Sequence, residues 1–323
     1  MWMLLVPVML CSACSDNSYS SPRGYDLHRP VVRELGKSLN EISGIFYVPG
    51  EDALVAIADS KDNIFRIDLR REKLTDKVKD FYEQEDFEDI VQLDSSLFVL
   101  ISNGSIVEVP LQRPDSVNVF ALNPDGKNDF ESLYYDPVAK GLIMLCKECD
   151  MDDATNGRSA FRFDLENHRF DSEPFYTIND SEVMKVLKND DVKFKPSAAA
   201  IHPLEGRLYI LASAGQVLVI ADRRGNVAEV YRLNPDQHPQ AEGIAFAPNG
   251  TMYISNEGKY GSATLKCIIT TKPCSGKPKP RSNHEAPCGI DAVDPFFLVC
   301  PCPGRQHTTT YFFNWRRRRT AQR

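Results

Sequence analysis

The chain has 323 residues, 42% hydrophobic and 26% charged, a balance that excludes a disordered protein and supplies the apolar side chains for one large closed domain. Its formal charge is −7, yet residues 267–323 alone hold ten Lys and Arg against three Asp and Glu, so the body is more acidic than the total suggests. An acidic body argues against nucleic acid as a partner and suits cations or basic ligands.

At the N-terminus the chain is apolar up to Cys11, and Ser12-Ala13-Cys14 sets two small residues before a cysteine. Residues 1–13 therefore read as a lipoprotein signal cleaved before Cys14, whose thiol would carry a diacylglyceryl group. A plain cleaved signal and an uncleaved apolar start are the alternatives, since no Lys or Arg precedes the apolar run. That run is too short to span a bilayer. Residues 14–26 are polar and read as a tether. The expectation is an outer-membrane lipoprotein of the cell envelope, joined to the membrane through its lipid anchor. Asp16, just beyond the cysteine, resembles the surface-export signal of Bacteroidetes lipoproteins and points to a surface-exposed form.

From residue 27 a repeat takes over. Five phrases, Ile42-Ser43-Gly44-Ile45, Phe87-Glu88-Asp89-Ile90, Phe130-Glu131-Ser132-Leu133, Pro196-Ser197-Ala198-Ala199 and Ala241-Glu242-Gly243-Ile244, follow one another at spacings of 45, 43, 66 and 45 residues. Each is followed by a short apolar run: Leu54–Ile57, Leu97–Ile101, Leu142–Leu145, Leu208–Leu211 and Met252–Ile254. Third runs at Ile64–Asp68, Ile106–Val109, Ala160–Asp164 and Val217–Ile220 alternate apolar with polar residues. Fourth strands fit Lys77–Tyr82, Val117–Leu122, Pro174–Ile178 and Val227–Leu233. Short β-rich runs with a period in the forties predict an all-β fold, a five-bladed β-propeller of four-stranded antiparallel blades over residues 27–266. The last repeat lacks a fourth strand, and Arg29–Leu35 is placed to supply it, so that an N-terminal strand closes the ring and removes its free edges. The spacing of 66 implies an insertion, read as a polar loop at Asp150–Gly157 and a short amphipathic helix at Asp180–Asn189, on the face that binds.

Beyond Lys266 the strand pattern ends, and residues 267–323 carry five of the nine cysteines and the run Arg316–Arg319. This Cys-, Pro- and Arg-rich segment reads as a frame-shifted or disordered extension, with a true basic tail and a zinc module as alternatives; no Cys-x2-Cys pairing supports zinc there. Cys146 and Cys149 do form such a pair, open to a disulfide or to two free thiols.

Glu88, Glu131 and Glu242 hold one repeat position in three blades, and Ser43 and Ser197 hold it in the other two. Ring symmetry brings equivalent positions together, so three carboxylates and two hydroxyls converge at one mouth of the channel, a hard-oxygen set suited to calcium. Glu41, Asp89 and Asp129 are placed to add oxygens. The opposing reading has these carboxylates cap strand N–H groups or pair with Lys147 and Lys195. Glu257 and Asp59 share an offset at the end of the second strand, and Lys147 occupies the same offset in the third repeat, so Glu41, Asp59, Lys147 and Glu257 are candidates to extend the site.

The phrases Glu41-Ile42-Ser43-Gly44-Ile45, Asp86-Phe87-Glu88-Asp89-Ile90, Asn128-Asp129-Phe130-Glu131-Ser132-Leu133, Lys195-Pro196-Ser197-Ala198 and Gln240-Ala241-Glu242-Gly243-Ile244, ending in Ser255-Asn256-Glu257-Gly258, resemble the SdiA-regulated family. The resemblance implies a five-bladed propeller distantly similar to NHL-repeat proteins and a calcium site, and it assigns no biochemical role. Two functions remain in view: a calcium-binding module that takes an unknown ligand or protein at its channel mouth, and a metal-dependent hydrolase of the esterase, lactonase or phytase sort. No Gly-x-Ser-x-Gly or phosphate-binding glycine loop is present in the sequence, and a histidine at the mouth would favour the enzyme.

Overall fold

A computed structural model describes residues 19–59, 61–71, 73–122, 126–153, 156–258 and 261–270. The signal at 1–13, Cys14, and the tail beyond Thr270 lie outside the described residues.

Each repeat folds as the alternation dictates. The chain enters with β1 (Val31–Glu34). Blade one is β2 (Ile42–Val48), β3 (Ala53–Ala58), β4 (Ile64–Asp68) and β5 (Lys73–Val78), and blade two is β6 (Phe87–Leu93), β7 (Ser96–Ile101), β8 (Ser105–Pro110) and β9 (Asn118–Ala121). Blade three holds β10 (Phe130–Asp136), β11 (Gly141–Cys146) and β12 (Gly157–Asp164), with β13 (Arg169–Phe170) and β14 (Tyr176–Asn179) both paired to β12. Blade four is β15 (Ala198–Ile201), β16 (Leu208–Ala212), β17 (Val217–Ala221) and β18 (Val227–Arg232). Blade five runs β19 (Ala241–Phe246), β20 (Met252–Asn256), β21 (Thr264–Ile268), and β1 completes it.

The N-terminal strand thus closes the ring, pairing antiparallel with β21 from Val31 opposite Cys267 to Glu34 opposite Thr264. The last strand runs to Ile268, past the expected boundary at Lys266. At the other boundary the packed chain begins inside the segment read as a tether. The Tyr25 hydroxyl donates to the Gly250 carbonyl at 2.6 Å and meets His202 Nε2 at 2.6 Å, wedging the ring between blades four and five.

The second strands are almost wholly buried because blades cover both of their faces: β3 and β11 are apolar and buried at every position. Five apolar clusters fill the five gaps between neighbouring blades. One of them joins Leu54, Ala56 and Phe65 of blade one to Ala245, Tyr253 and Leu265 of blade five, across the closure. At about 1.5–3 kcal/mol for each fully buried large aliphatic side chain, these gaps hold the ring together.

One outer strand differs from expectation. The fourth strand of blade one is Lys73–Val78 rather than Lys77–Tyr82. It pairs with Ile64–Asp68 at the rim, where only Val78 is buried. Phe81, inside the expected strand, instead packs on Phe87 between blades one and two.

The insertion forms a helix, α1 (Asp180–Leu187). Its first turn is capped by Asn179, whose side chain accepts from the Ser181 N–H at 2.9 Å, and it ends on Lys188 in the left-handed region at φ 56°. Antiparallel order places the β11–β12 and β14–β15 connections at the end where every first strand begins, so both insertions lie on the mouth side of the ring. None of the described helices is long and apolar enough to cross a membrane.

Candidate functional site

The mouth is built by a repeated defect. In β2, β6, β10 and β19 the register slips by one residue as the strand begins, between Ile42 and Gly44, Phe87 and Asp89, Phe130 and Ser132, and Ala241 and Gly243. The extra residues are Ser43, Glu88, Glu131 and Glu242. A bulge releases one residue from the ladder and re-aims its side chain. In blade four Ser197 holds the same place just ahead of β15, its N–H bonded to the Leu211 carbonyl at 2.8 Å.

A second repeated contact fixes the rim. In four blades the residue after the second strand donates its N–H to the carbonyl two residues before the bulge: Asp59 to Glu41 at 2.9 Å, Ser102 to Asp86 at 3.0 Å, Lys147 to Asp129 at 2.8 Å and Glu257 to Gln240 at 2.9 Å. In blade four the Ser213 N–H turns instead to the Ser197 hydroxyl at 3.3 Å. The sequence offset that linked Asp59, Lys147 and Glu257 is therefore a shared place in the ring.

All seven residues expected at the site, Glu88, Glu131, Glu242, Glu41, Asp59, Lys147 and Glu257, line one cavity of about 170 Å³ together with Ser43, Ser197 and Gln240. Two of them, Glu88 and Glu131, cluster with Asp129, and the three each offer a carboxylate oxygen, all within 4.8 Å of one another. Glu242 lines the same cavity from blade five but stands outside that group, because blade four separates it from blade three. A second cavity of about 300 Å³ adjoins the first and is lined by Lys147, Lys195, Ser197, Ser213, Gln240, Glu131 and Glu242 among others.

Burial sets the charges. It is the largest influence pushing the Glu88 carboxyl up to about 10, with the Glu131 and Asp86 carboxylates adding to it. Burial likewise raises Glu242 to about 8, assisted by Glu131. Glu131 reaches only about 7, because Lys147 opposes the burial. The Lys147 ammonium pairs with Glu131 and lies 3.7 Å from Asp129. Burial works against that ammonium, but Glu131 and Asp129 outweigh it and raise its pKa.

Some expectations are redrawn here. Asp89 does not supply an oxygen to the mouth: it is buried, its two oxygens accepting the N–H groups of Ile90 and Leu133 at 2.8 Å each and so tying blade two to blade three. Gly44 is needed for this contact, since a Cβ there would strike the Asp89 carboxylate. Lys147 does meet a channel carboxylate, whereas Lys195 pairs with Glu148 at 2.7 Å outside the cluster. Cys146 and Cys149 form a disulfide, which brackets Lys147 and Glu148. No histidine is among the residues lining either cavity; His202 holds Tyr25 and is buried.

Glu88, Asp129 and Glu131 are the residues here whose hard carboxylate oxygens could hold a cation. The resident ammonium of Lys147 shows that the cluster accepts positive charge. Missing from the sequence reading were the prominence of Asp129, visible only as the residue two before the bulge, and the second cavity, whose Lys195 stands where Glu41, Asp86 and Asp129 stand in three other blades and whose Ser213 stands where Asp59 and Glu257 stand in two.

Five blades stacked on an axis, with one polar position per blade turned to a common mouth, define a five-bladed β-propeller with an acidic channel mouth. The chain belongs to the SdiA-regulated family, whose model matches residues 23–259. No curated protein matches it. Among solved structures it is similar to a luciferin-regenerating enzyme, at 12% identity and a TM-score of 0.47 over 75% of this chain and 96% of that one. It is similar also to a chain of a nidogen/laminin complex, at 12% identity and 0.44 over 67% and 72%. A third is a structural-genomics protein of unknown function from Bacteroides thetaiotaomicron, at 8% and 0.45 over 74% and 72%. Likenesses this distant carry no functional argument.

Proposed function

We propose that this protein is a calcium-binding propeller of the cell envelope that takes a ligand or a protein at its channel mouth. The observation that supports it is the convergence of Glu88, Asp129 and Glu131 within 4.8 Å. Like charges so close are costly unless a cation offsets them or protons neutralise them. Calcium would be held by these carboxylates, with Glu242 supplying further negative charge from across the cavity. The fold places the insertions on the same face, where they extend the surface a partner would meet.

Calcium should stabilise the folded chain. A ligand present at one hundred times its Kd contributes about 2.7 kcal/mol. At ~2–4 °C per kcal/mol for a domain of this size, melting should rise by roughly 5–10 °C. Glu131→Gln keeps the shape, removes one charge and should shrink that rise. The reading fails if calcium leaves melting unchanged, or if Glu131→Gln responds to calcium as the wild type does. Turnover of ester, lactone or phosphate substrates by the calcium-loaded protein would replace the binding role with the hydrolase alternative.

The Ser12-Ala13-Cys14 pattern supports attachment to the outer membrane, surface-exposed, through lipid on Cys14. A metabolic fatty-acid label should reach the wild type and not Cys14→Ser; equal labelling of both would remove the anchor from the proposal.

A further inference from the structure

Lys147 lines both cavities at the mouth. In the acidic one it pairs with Glu131 and approaches Asp129. Its backbone has little freedom to follow a change there, since its N–H is bonded to the Asp129 carbonyl and the Cys146–Cys149 disulfide brackets it. Its four-carbon side chain is the part that can move. The adjoining cavity shares Glu131, Glu242, Ser197 and Gln240 with the first and adds Lys195 and Ser213. Lys195 stands at the ring position held by Glu41, Asp86 and Asp129 in other blades, and serines stand at the two neighbouring positions, Ser197 and Ser213.

An ammonium and a metal ion that need the same carboxylate oxygens repel each other at contact distance, so each excludes the other. An ammonium that loses its carboxylates while still partly desolvated requires another anion. We propose that Lys147 couples two sites: it competes with a cation for Glu131 and Asp129, and, displaced from them, it joins Lys195 to make the adjoining cavity a subsite for a small carboxylate-bearing ligand. The inference rests on the calcium reading above and names the ligand class that reading leaves open. At about 300 Å³ the cavity sits at the small end of small-molecule pockets, about 300–1,000 Å³, the size of a single sugar-like unit. Ser213 and Gln240 on its wall offer hydrogen-bonding partners for hydroxyl groups.

Isothermal titration of the full chain separates the parts. Calcium is titrated alone, and galacturonate is titrated with and without saturating calcium, with galactose as the uncharged control. Lys147→Met should bind calcium about tenfold tighter or more, the scale of one close charge pair removed. Wild type should bind galacturonate only when calcium is present and galactose in neither case. Lys147→Met should lose galacturonate, and Lys195→Met should weaken it while leaving calcium affinity unchanged. Lys147→Arg, which keeps the charge and guards against a folding defect, should retain both activities. Unchanged or weaker calcium binding in Lys147→Met overturns the competition. Galacturonate binding that ignores calcium, or survives Lys147→Met, overturns the coupling while calcium binding itself stands. If neither the wild type nor Lys147→Met binds calcium, the calcium reading falls and the coupling with it.

Discussion

Glu131, half-buried with a lysine at its side and a carboxylate beyond, carries the balance of the mouth on one side chain. Its neighbours Glu88 and Glu242 lack so close a cation, and burial lifts them further, to about 10 and about 8 against about 7 for Glu131. A carboxyl raised in this way keeps, in the folded chain, a proton that the unfolded chain has already released. Unfolding then releases protons, and stability falls as pH rises from the ordinary carboxylate range through the folded values. With a chelator present, the melting temperature should therefore decline between about pH 5 and pH 9, and Glu131→Gln should flatten the portion near neutrality. Lys147, raised above the usual lysine value, stays charged across this window and adds no slope. A melting temperature that is flat or rising over that range would show that these carboxyls titrate as ordinary surface groups. Glu88, Glu131 and Glu242 were legible in the sequence because a repeat position is also a position around the axis. Asp89, one residue along, was misread because only pairing reveals which of two adjacent acids the bulge turns outward.

At the scale of the element, the second strands were the plainest part of the sequence, since burial on both faces leaves no polar residue in Ala53–Ala58 or Gly141–Cys146. The rim strands carry no such mark. Lys73–Val78 pairs correctly with its neighbour while exposing or half-exposing all but one residue, and a hydrophobic pattern cannot announce a strand whose stabilisation comes mainly from its ladder. The helix was legible from the spacing of Val183, Met184, Val186 and Leu187, of which Val183 is buried, while its cap on Asn179 and its end at Leu187 came from the structure. The Cys146–Cys149 bond was open in the sequence, as its geometry depends on the turn between the two residues, which sets their Cα atoms 6.2 Å apart. It closes so short a loop that it restricts the unfolded chain very little. Its consequence is local: it fixes the backbone that delivers Lys147 between the two cavities.

For the whole molecule the decisive contact is the one between the two ends of the ring. The family match spans residues 23–259, so of the closing pair β1 lies inside the matched stretch and β21 begins beyond it. What the entering segment contributes lies more in its anchors than in its strand. Val31 and Val32 are 63% and 50% exposed, whereas Tyr25, Leu27 and Leu35 are buried, and the Leu35 N–H bonds the Ala263 carbonyl at 2.8 Å. Three such side chains at ~1.5–3 kcal/mol each account for roughly 5–9 kcal/mol, against a net stability of about 5–15 kcal/mol for a folded domain. A chain beginning at Gly36 also leaves β21 with an unpaired edge, a template for pairing with other chains. It should fail to melt cooperatively and should aggregate, as read by calorimetry and light scattering. Val31→Thr with Val32→Thr should instead stay within about 1 kcal/mol of wild type, the range of exposed surface changes. If the shortened chain remains monomeric and melts within a few degrees of the full one, blade five closes without its N-terminal strand, and the ring owes its integrity to the gaps between blades alone.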